Sequence, residues 1–173
     1  SSTLALVHYL EKRGLLDRAR VEDIAGVRLE ELDDPDLRIP ASIHYQLWEL
    51  AEQLTADPGV GLHAGQVIDP EGMGLVGHVF FNCDTLGEAV IQYVRLHRLI
   101  NESVTLSFEQ TPEQAILTWQ PDNPAHYCRQ DMDRTLAAAL CRSRHFIHRG
   151  IEADWVEIAH PERENAREYQ KRL

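Results

Sequence analysis

The sequence has few cysteines, no long apolar run and no excess of positive charge. Its three cysteines, Cys83, Cys128 and Cys141, are scattered and form no C-x-x-C pair. An odd number of separate thiols argues against a disulfide scaffold and favours a reducing, cytoplasmic setting. No stretch approaches the roughly 20 apolar residues that cross a bilayer, and no basic segment opens the chain. We therefore expect neither a membrane partner nor a signal peptide.

Acidic residues dominate the charge. The chain of 173 residues carries 28 Asp and Glu against 17 Lys and Arg, a net charge of −11. Such a surface repels a phosphate backbone, so these residues are not expected to bind nucleic acid directly. The length suits a single domain with a real hydrophobic core, and we predict one domain over residues 1–173.

The apolar periodicity predicts an α+β fold, with a helical layer packed with a small, mostly antiparallel sheet and one long helix. The predicted helices cover 4–11, 43–55, 60–68, 73–82, 85–101 and 127–148, with another starting at 164. The predicted strands are 103–109, 114–120 and 155–160. The long helix is expected to bury a stripe formed by Met132, Leu136, Ala139, Leu140, Ser143 and Ile147. Because the last helical pattern runs uncapped to residue 173, we expect that the chain was cut from something longer.

A glycine string at residues 72–77, GMGLVG, matches the dinucleotide-binding pattern G-x-G-x-x-G. That pattern requires a buried strand before it and an acidic residue about 20 positions after it. Here a proline-containing loop, 68–71, precedes the string, and no such acid follows. We interpret Gly74 and Gly77, on one side of a helix, as positions of close packing, and Gly72 as the helix entry.

Cys141, His145 and His148 lie at i, i+4 and i+7 of the long helix, a spacing that could surround zinc. Several arginines stand beside them, and positive charge disfavours a divalent cation. We interpret the set as a solvated helix end and predict no metal and no cofactor.

Cys83 lies at a helix start, where the pKa of a thiol can fall, and His78 or His97 could serve as its base. The flanking residues match no thiol-enzyme signature. We interpret Cys83 as a small half-buried residue, predict no catalytic residue, and expect that the chain is not an enzyme.

Several polar side chains fall near predicted buried stripes: His44, His63, His78, Tyr93, His97 and Trp119. Small-molecule pockets are mostly apolar with a few such groups. We predict a ligand pocket between helix 73–82, helix 85–101 and the β-hairpin that strands 103–109 and 114–120 form. Its predicted lining residues are His78, Phe81, Tyr93, His97 and Trp119.

Four short motifs resemble one known family. They are Asp57-Pro58, Gly61-Leu62-His63-Ala64-Gly65, Gly74-Leu75-Val76-Gly77 and Thr85-Leu86-Gly87-Glu88-Ala89, and Tyr93, His97 and Arg98 extend the match. In this order they resemble the N-terminal effector, arabinose-binding-like domain of AraC-type transcriptional regulators. The resemblance covers about residues 39–173.

The resemblance implies a regulatory domain that senses an effector, oligomerises or does both, within a protein that controls transcription. A small molecule or a protein contact would shift this domain between two states. DNA would be bound only through a C-terminal helix-turn-helix domain that these residues do not include. The sequence identifies no effector and leaves open a homodimer. The alternative is a ligand-free dimerisation or interaction module, and behind it a small metal- or thiol-dependent enzyme.

Overall fold

The computed structural model describes residues 2–34, 37–67, 74–124, 127–147, 151–159 and 169. The α-helices in this part of the chain are α1 (Ser2–Lys12), α2 (Arg18–Ala25), α3 (Ala41–Thr55), α4 (Val60–Gly65), α5 (Gly74–Phe81), α6 (Leu86–Leu96) and α7 (Arg129–Ile147). Two 3₁₀ turns (Leu29–Asp33 and His97–Leu99) and an antiparallel hairpin of β1 (Val104–Gln110) and β2 (Ala115–Pro121) complete the described elements. The predicted α+β class is confirmed.

The chain forms two compact units. The first comprises residues 1–68 and 128–173, and the second residues 69–127. None of the helices described in either unit has the length and apolar character needed to cross a membrane. The prediction that residues 1–173 make one regulatory domain stays a prediction.

The core of the first unit is built by α1, α2 and α3. Leu6 and Leu10 lie four residues apart on one face of α1, where they meet Leu47 and Trp48 of α3 and Val21 of α2. Each of these side chains is at most 2% exposed. Burial of such apolar stripes is what holds short helices in place, because a helix of this length is marginal alone.

In the same unit, α4 packs on α7 at very short range because two glycines face the long helix. A β-carbon on Gly61 would lie 2.9 Å from the β-carbon of Asp133, and one on Gly65 would lie 2.8 Å from that of Ala137. Only residues without a β-carbon allow such an approach. The GLHAG motif, residues 61–65, is therefore a helix-packing motif.

The predicted buried stripe of α7 is wrong. Its buried residues are Asp131, Asp133, Ala137 and Ala138, whereas all six residues of the predicted stripe are only partly buried. The small alanines face the glycines of α4, and the aspartates are buried because distant polar groups bind them.

In the second unit, α5 packs against α6, and α6 against β1. Thr85 caps the start of α6, and its side chain accepts a hydrogen bond from the main-chain nitrogen of Glu88. Such a cap satisfies one of the unpaired N–H groups of the first turn. Within the hairpin, Leu106 pairs with Trp119 on the covered face, while Ser107 pairs with Thr118 on the exposed face.

One further prediction is wrong, one helix was not predicted, and one predicted helix is not tested. Residues 155–159 form no strand in the structure, and residue 160 lies outside the described residues. The helix α2 was not predicted, because its sequence RARVEDIA has little apolar periodicity. The helix predicted from 164 also lies outside the described residues, except Tyr169, which is helical.

The glycine string has two described members with different roles. Gly74 begins α5 with φ +54°, and a β-carbon added there would have no neighbour within 4 Å, so its predicted packing role is wrong. Its left-handed backbone is the reason that glycine suits this position. Gly77 is buried, and Gly72 lies outside the described residues.

Candidate functional site

A row of aromatic rings occupies the interior of the second unit. The rings of Phe80 and Phe81, from α5, meet edge to face at 5.1 Å between centroids. Phe80 also meets Tyr93 of α6 edge to face at 6.2 Å, and Tyr93 lies 5.4 Å from the His97 ring, one turn further along. Such edge-to-face pairs are favoured by the ring quadrupoles. The row therefore joins α5 to the end of α6.

Two side chains of the second unit have polar groups that are covered from solvent. The side chain of His97 is buried, with 5% of its surface exposed. Trp119 lies on the covered face of the hairpin, and its Nε1–H is buried without a hydrogen-bond acceptor among the residues that the structure describes. A buried donor without an acceptor is costly, so such a group has a strong preference for any acceptor that reaches it.

An exposed polar clamp connects the end of α6 to the hairpin. The Arg98 guanidinium donates to Oγ1 of Thr105 at 2.9 Å and to Oδ2 of Asp122 at 3.1 Å. Thr105 in turn donates to Oδ1 of Asp122 at 2.6 Å. This hydrogen bond, together with the Arg98 charge, lowers the pKa of Asp122. The clamp fixes the hairpin next to the segment that carries His97.

Four of the five predicted site residues, Phe81, Tyr93, His97 and Trp119, are at least partly buried in this unit. The fifth, His78, is exposed on α5. The sequence-based set omits Phe80, which is 5% exposed and contacts two rings of the row. Its spacing of four residues from the buried Val76 was the signal that could have identified it.

The cysteines are placed as small packing residues. Cys83 Sγ donates to the carbonyl of Val79, and Cys141 Sγ donates to the carbonyl of Gln66, both at 3.3 Å. Burial raises the pKa of the Cys141 thiol, and it raises the pKa of Cys128 to about 12. Among the residues described, no His, Cys, Asp and Glu group has a metal-binding arrangement, and His148 lies outside them.

The first unit contains a buried polar network around His44 of α3. Its Nδ1 lies 2.9 Å from Oγ1 of Thr3 in α1, and the Nε1–H of Trp48 donates to its Nε2 at 3.1 Å. Oδ1 of Asp131 in α7 lies 3.3 Å from the same Nε2. Nε of Arg134 donates to that carboxylate oxygen at 3.1 Å.

The pKa values of Asp131 and Asp133 are shifted in opposite directions. Burial favours the neutral form of both, but at Asp131 the nearby Arg134 and His44 prevail and lower its pKa. At Asp133, burial prevails and raises the pKa to about 6. There the Tyr169 hydroxyl donates to Oδ1 at 2.8 Å, and a guanidinium nitrogen of Arg129 lies 3.6 Å from Oδ2.

A shallow surface depression of about 500 Å³ also lies on the first unit. It is lined by Glu49, Glu52, Gln53, Ala56, Pro58 and Gln130. One of its two carboxylates, that of Glu52, already accepts hydrogen bonds from Gln130 and Arg129. Because this carboxylate has donors within the protein, it does not need a ligand to satisfy it.

The sequence profile of the arabinose-binding domain of AraC transcription regulators, an N-terminal domain, matches residues 16–172. Because the match spans most of the chain, the protein belongs to this family of regulatory, effector-binding domains. The resemblance found in the sequence is thus confirmed.

Among curated proteins, the chain is similar to the ornithine utilization regulator of Pseudomonas aeruginosa. The two are 29% identical over 96 residues, which is 56% of this chain and 28% of the regulator. The match thus spans little more than a quarter of that relative's length.

Proposed function

We propose that this chain is the sensing part of a transcriptional regulator, and that a small molecule binds in the second unit. The family is one of effector-binding domains, and the similar curated protein is a regulator. The net charge of −11 supports a division of labour in which DNA is bound by another part of the full protein. A regulator that acts on DNA in this way would work in the cytoplasm.

The observation that carries the ligand proposal is the buried Nε1–H of Trp119, which lies in the same unit as the aromatic row. A ligand with an apolar or aromatic body could pack against Phe81 and Tyr93. A carbonyl or carboxylate oxygen on that ligand would accept from Trp119, with His97 as a second polar contact. His78, which is exposed, would lie at the rim. A few polar groups among apolar walls are typical of small-molecule sites.

Effector binding regulates only if the ligand prefers one of two conformations of the protein. The second unit offers a means, because the ligand would contact α5, α6 and β2 together. Its binding energy would then favour the arrangement in which these three elements are closest.

The competing proposal is an interaction module that binds no small molecule and forms a homodimer. The observation that favours it is the exposure of large apolar side chains beside the end of α6, since Leu99 is 59% and Ile100 50% exposed. A small metal- or thiol-dependent enzyme ranks third, because the thiol of the candidate nucleophile Cys83 donates to the carbonyl of Val79.

Thermal shift against a panel of amino acids including ornithine, aromatic acids, fatty acids and neutral metabolites tests the proposal. We expect at least one acceptor-bearing compound to raise Tm in the native chain and in Trp155→Phe, which alters an exposed indole. The same compound should lose most of this effect in Trp119→Phe.

Two outcomes contradict the ligand proposal. A panel without any hit, together with a dimer in light scattering that Leu99→Ser dissociates, favours the interaction module. A hit whose shift is equal in Trp119→Phe and Trp155→Phe places the ligand elsewhere.

A further inference from the structure

One ring nitrogen of His44 faces two groups with opposite requirements. The Nε1–H of Trp48 donates to Nε2 at 3.1 Å, and Oδ1 of Asp131 lies 3.3 Å from the same nitrogen. An indole N–H can only donate, and an ionised carboxylate can only accept. A ring nitrogen accepts when it lacks a proton and donates when it carries one. Nε2 can therefore satisfy Trp48 or Asp131, but not both.

We propose that His44 is a proton-operated switch that binds Trp48 in one state and Asp131 in the other. In the neutral state, Nδ1–H donates to Oγ1 of Thr3, and Nε2 accepts from Trp48. When one proton from solvent binds Nε2, that nitrogen donates to Asp131, and Trp48 loses its acceptor. Release of the proton restores the first state.

The switch replaces a hydrogen bond within α3 by a hydrogen bond between α3 and α7. His44 and Trp48 both belong to α3, one turn apart, whereas Asp131 belongs to α7. Proton binding therefore tightens the connection from α3 to α7 and loosens one inside α3. Because Arg134 donates to the same oxygen of Asp131 that faces His44, the protonated ring also competes with Arg134.

The charged and titratable groups around the His44 ring set the balance between its neutral and its protonated state. From α7, the Asp131 carboxylate favours the added proton, and the Arg134 guanidinium opposes it. From α3 itself, the phenol ring of Tyr45 lies 6.1 Å from the His44 ring. From α1, Thr3 supplies an uncharged hydroxyl.

Because the three side chains are buried, the change of hydrogen-bond partner at His44 affects the helices that carry them. His44 is 8% exposed, Asp131 6% and Trp48 0%. Water is thus poorly placed to replace the acceptor that Trp48 loses, and a buried donor without an acceptor is unfavourable. The helices must respond to the proton, since solvent cannot absorb the change.

The test follows the indole N–H signals of the full chain by NMR as pH is lowered from 8 to 5, the interval in which histidines change charge. The chain has three tryptophans, and Trp119→Phe and Trp155→Phe assign their signals. We expect the Trp48 proton to move upfield along a one-proton curve while the exposed Trp155 signal stays constant. In His44→Gln, whose amide oxygen accepts at every pH, the Trp48 signal should not move.

A Trp48 signal that is constant over this interval, or that moves equally in His44→Gln, overturns the proposal. Asp131→Asn provides a second measurement should His44→Gln fail to fold. Without the carboxylate, the proton is held less tightly on His44, so the midpoint of the Trp48 curve should fall. An unchanged or higher midpoint in Asp131→Asn also overturns the proposal.

Discussion

Gly61 lies so close to Gln130 that a β-carbon on the glycine would collide with the main-chain oxygen of the glutamine. A main-chain oxygen in a helix cannot rotate away, as the end of a long side chain can. Gly65 has the same relation to the main-chain oxygen of Arg134, one helical turn further along. These two contacts determine the distance between α4 and α7.

We predict that Gly61→Ala and Gly65→Ala each lower the free energy of unfolding by about 1–3 kcal/mol, as overpacking does elsewhere. Urea denaturation of the full chain measures this. The matched control is Gly87→Ala in α6, where the new β-carbon would meet only the side-chain end of Gln110 at 3.1 Å. The control should be neutral or slightly stabilising, because alanine is the better helix former. Equal losses at all three positions would show that short-range packing of α4 is not the cause.

Asp133 should make the protein more stable on mild acidification. Its pKa is about 6 in the folded state because of burial, against an ordinary value of 3.8. The folded state thus binds the proton more tightly, and this group's contribution to stability falls as pH rises from about 4 to 6. Two pKa units correspond to about 2–3 kcal/mol.

The measurement compares the native chain with Asp133→Asn in urea at pH 4.5 and 7.5. Relative to the native chain, the variant should gain about 2 kcal/mol between the lower and the higher pH. The same difference at both values would contradict the raised pKa. Asp131 has a lowered pKa, so its contribution has the opposite sign and is lost as pH falls below its unfolded value.

Tyr169 should hold the pKa of Asp133 down, because its hydroxyl donates to the charged carboxylate. We predict that Tyr169→Phe raises this pKa further above 6, as followed by the carbon-13 shift of the Asp133 carboxyl group. Tyr45→Phe, which alters a phenol beside the other network, is the control and should leave Asp133 unchanged. A value that falls in Tyr169→Phe would contradict the assigned hydrogen bond.

The cap at Thr85 should contribute measurably to the second unit. Thr85→Ala removes the acceptor for the Glu88 N–H and should cost about 1 kcal/mol. The neighbouring Asp84→Ala, at an exposed position outside the cap, should cost no more than about 0.5 kcal/mol. Circular dichroism during urea denaturation separates the two. A larger loss in Asp84→Ala would assign the cap to the wrong residue.

Much of the fold follows from local patterns. The cap that starts α6 and the alternation in the hairpin each arise within a dozen residues, and both are found in the structure. The helix α2 was missed although Asp17 caps it by accepting from the Arg20 nitrogen. That signal was present, but only two large apolar residues, Val21 and Ile24, accompany it.

Non-local contacts account for the other errors. An alternating segment such as 155–159 becomes a strand only when a neighbouring strand pairs with it. The burial of Asp131 depends on His44, 87 positions away, and no local period predicts such a pair. The predicted site residues of the second unit remain a proposal. The structure adds Phe80 to the proposed set and shows that His78 is exposed.

The helix α4 has only six residues, too few to be stable alone. It exists because α7 lies directly against its glycines, and the atoms of α7 nearest to them are main-chain atoms and β-carbons, which cannot rotate to fit a new distance. The position of α4 therefore depends on the position of α7. Any rearrangement that displaces α7, whatever molecule drives it, must carry α4 along as part of one rigid body or melt it.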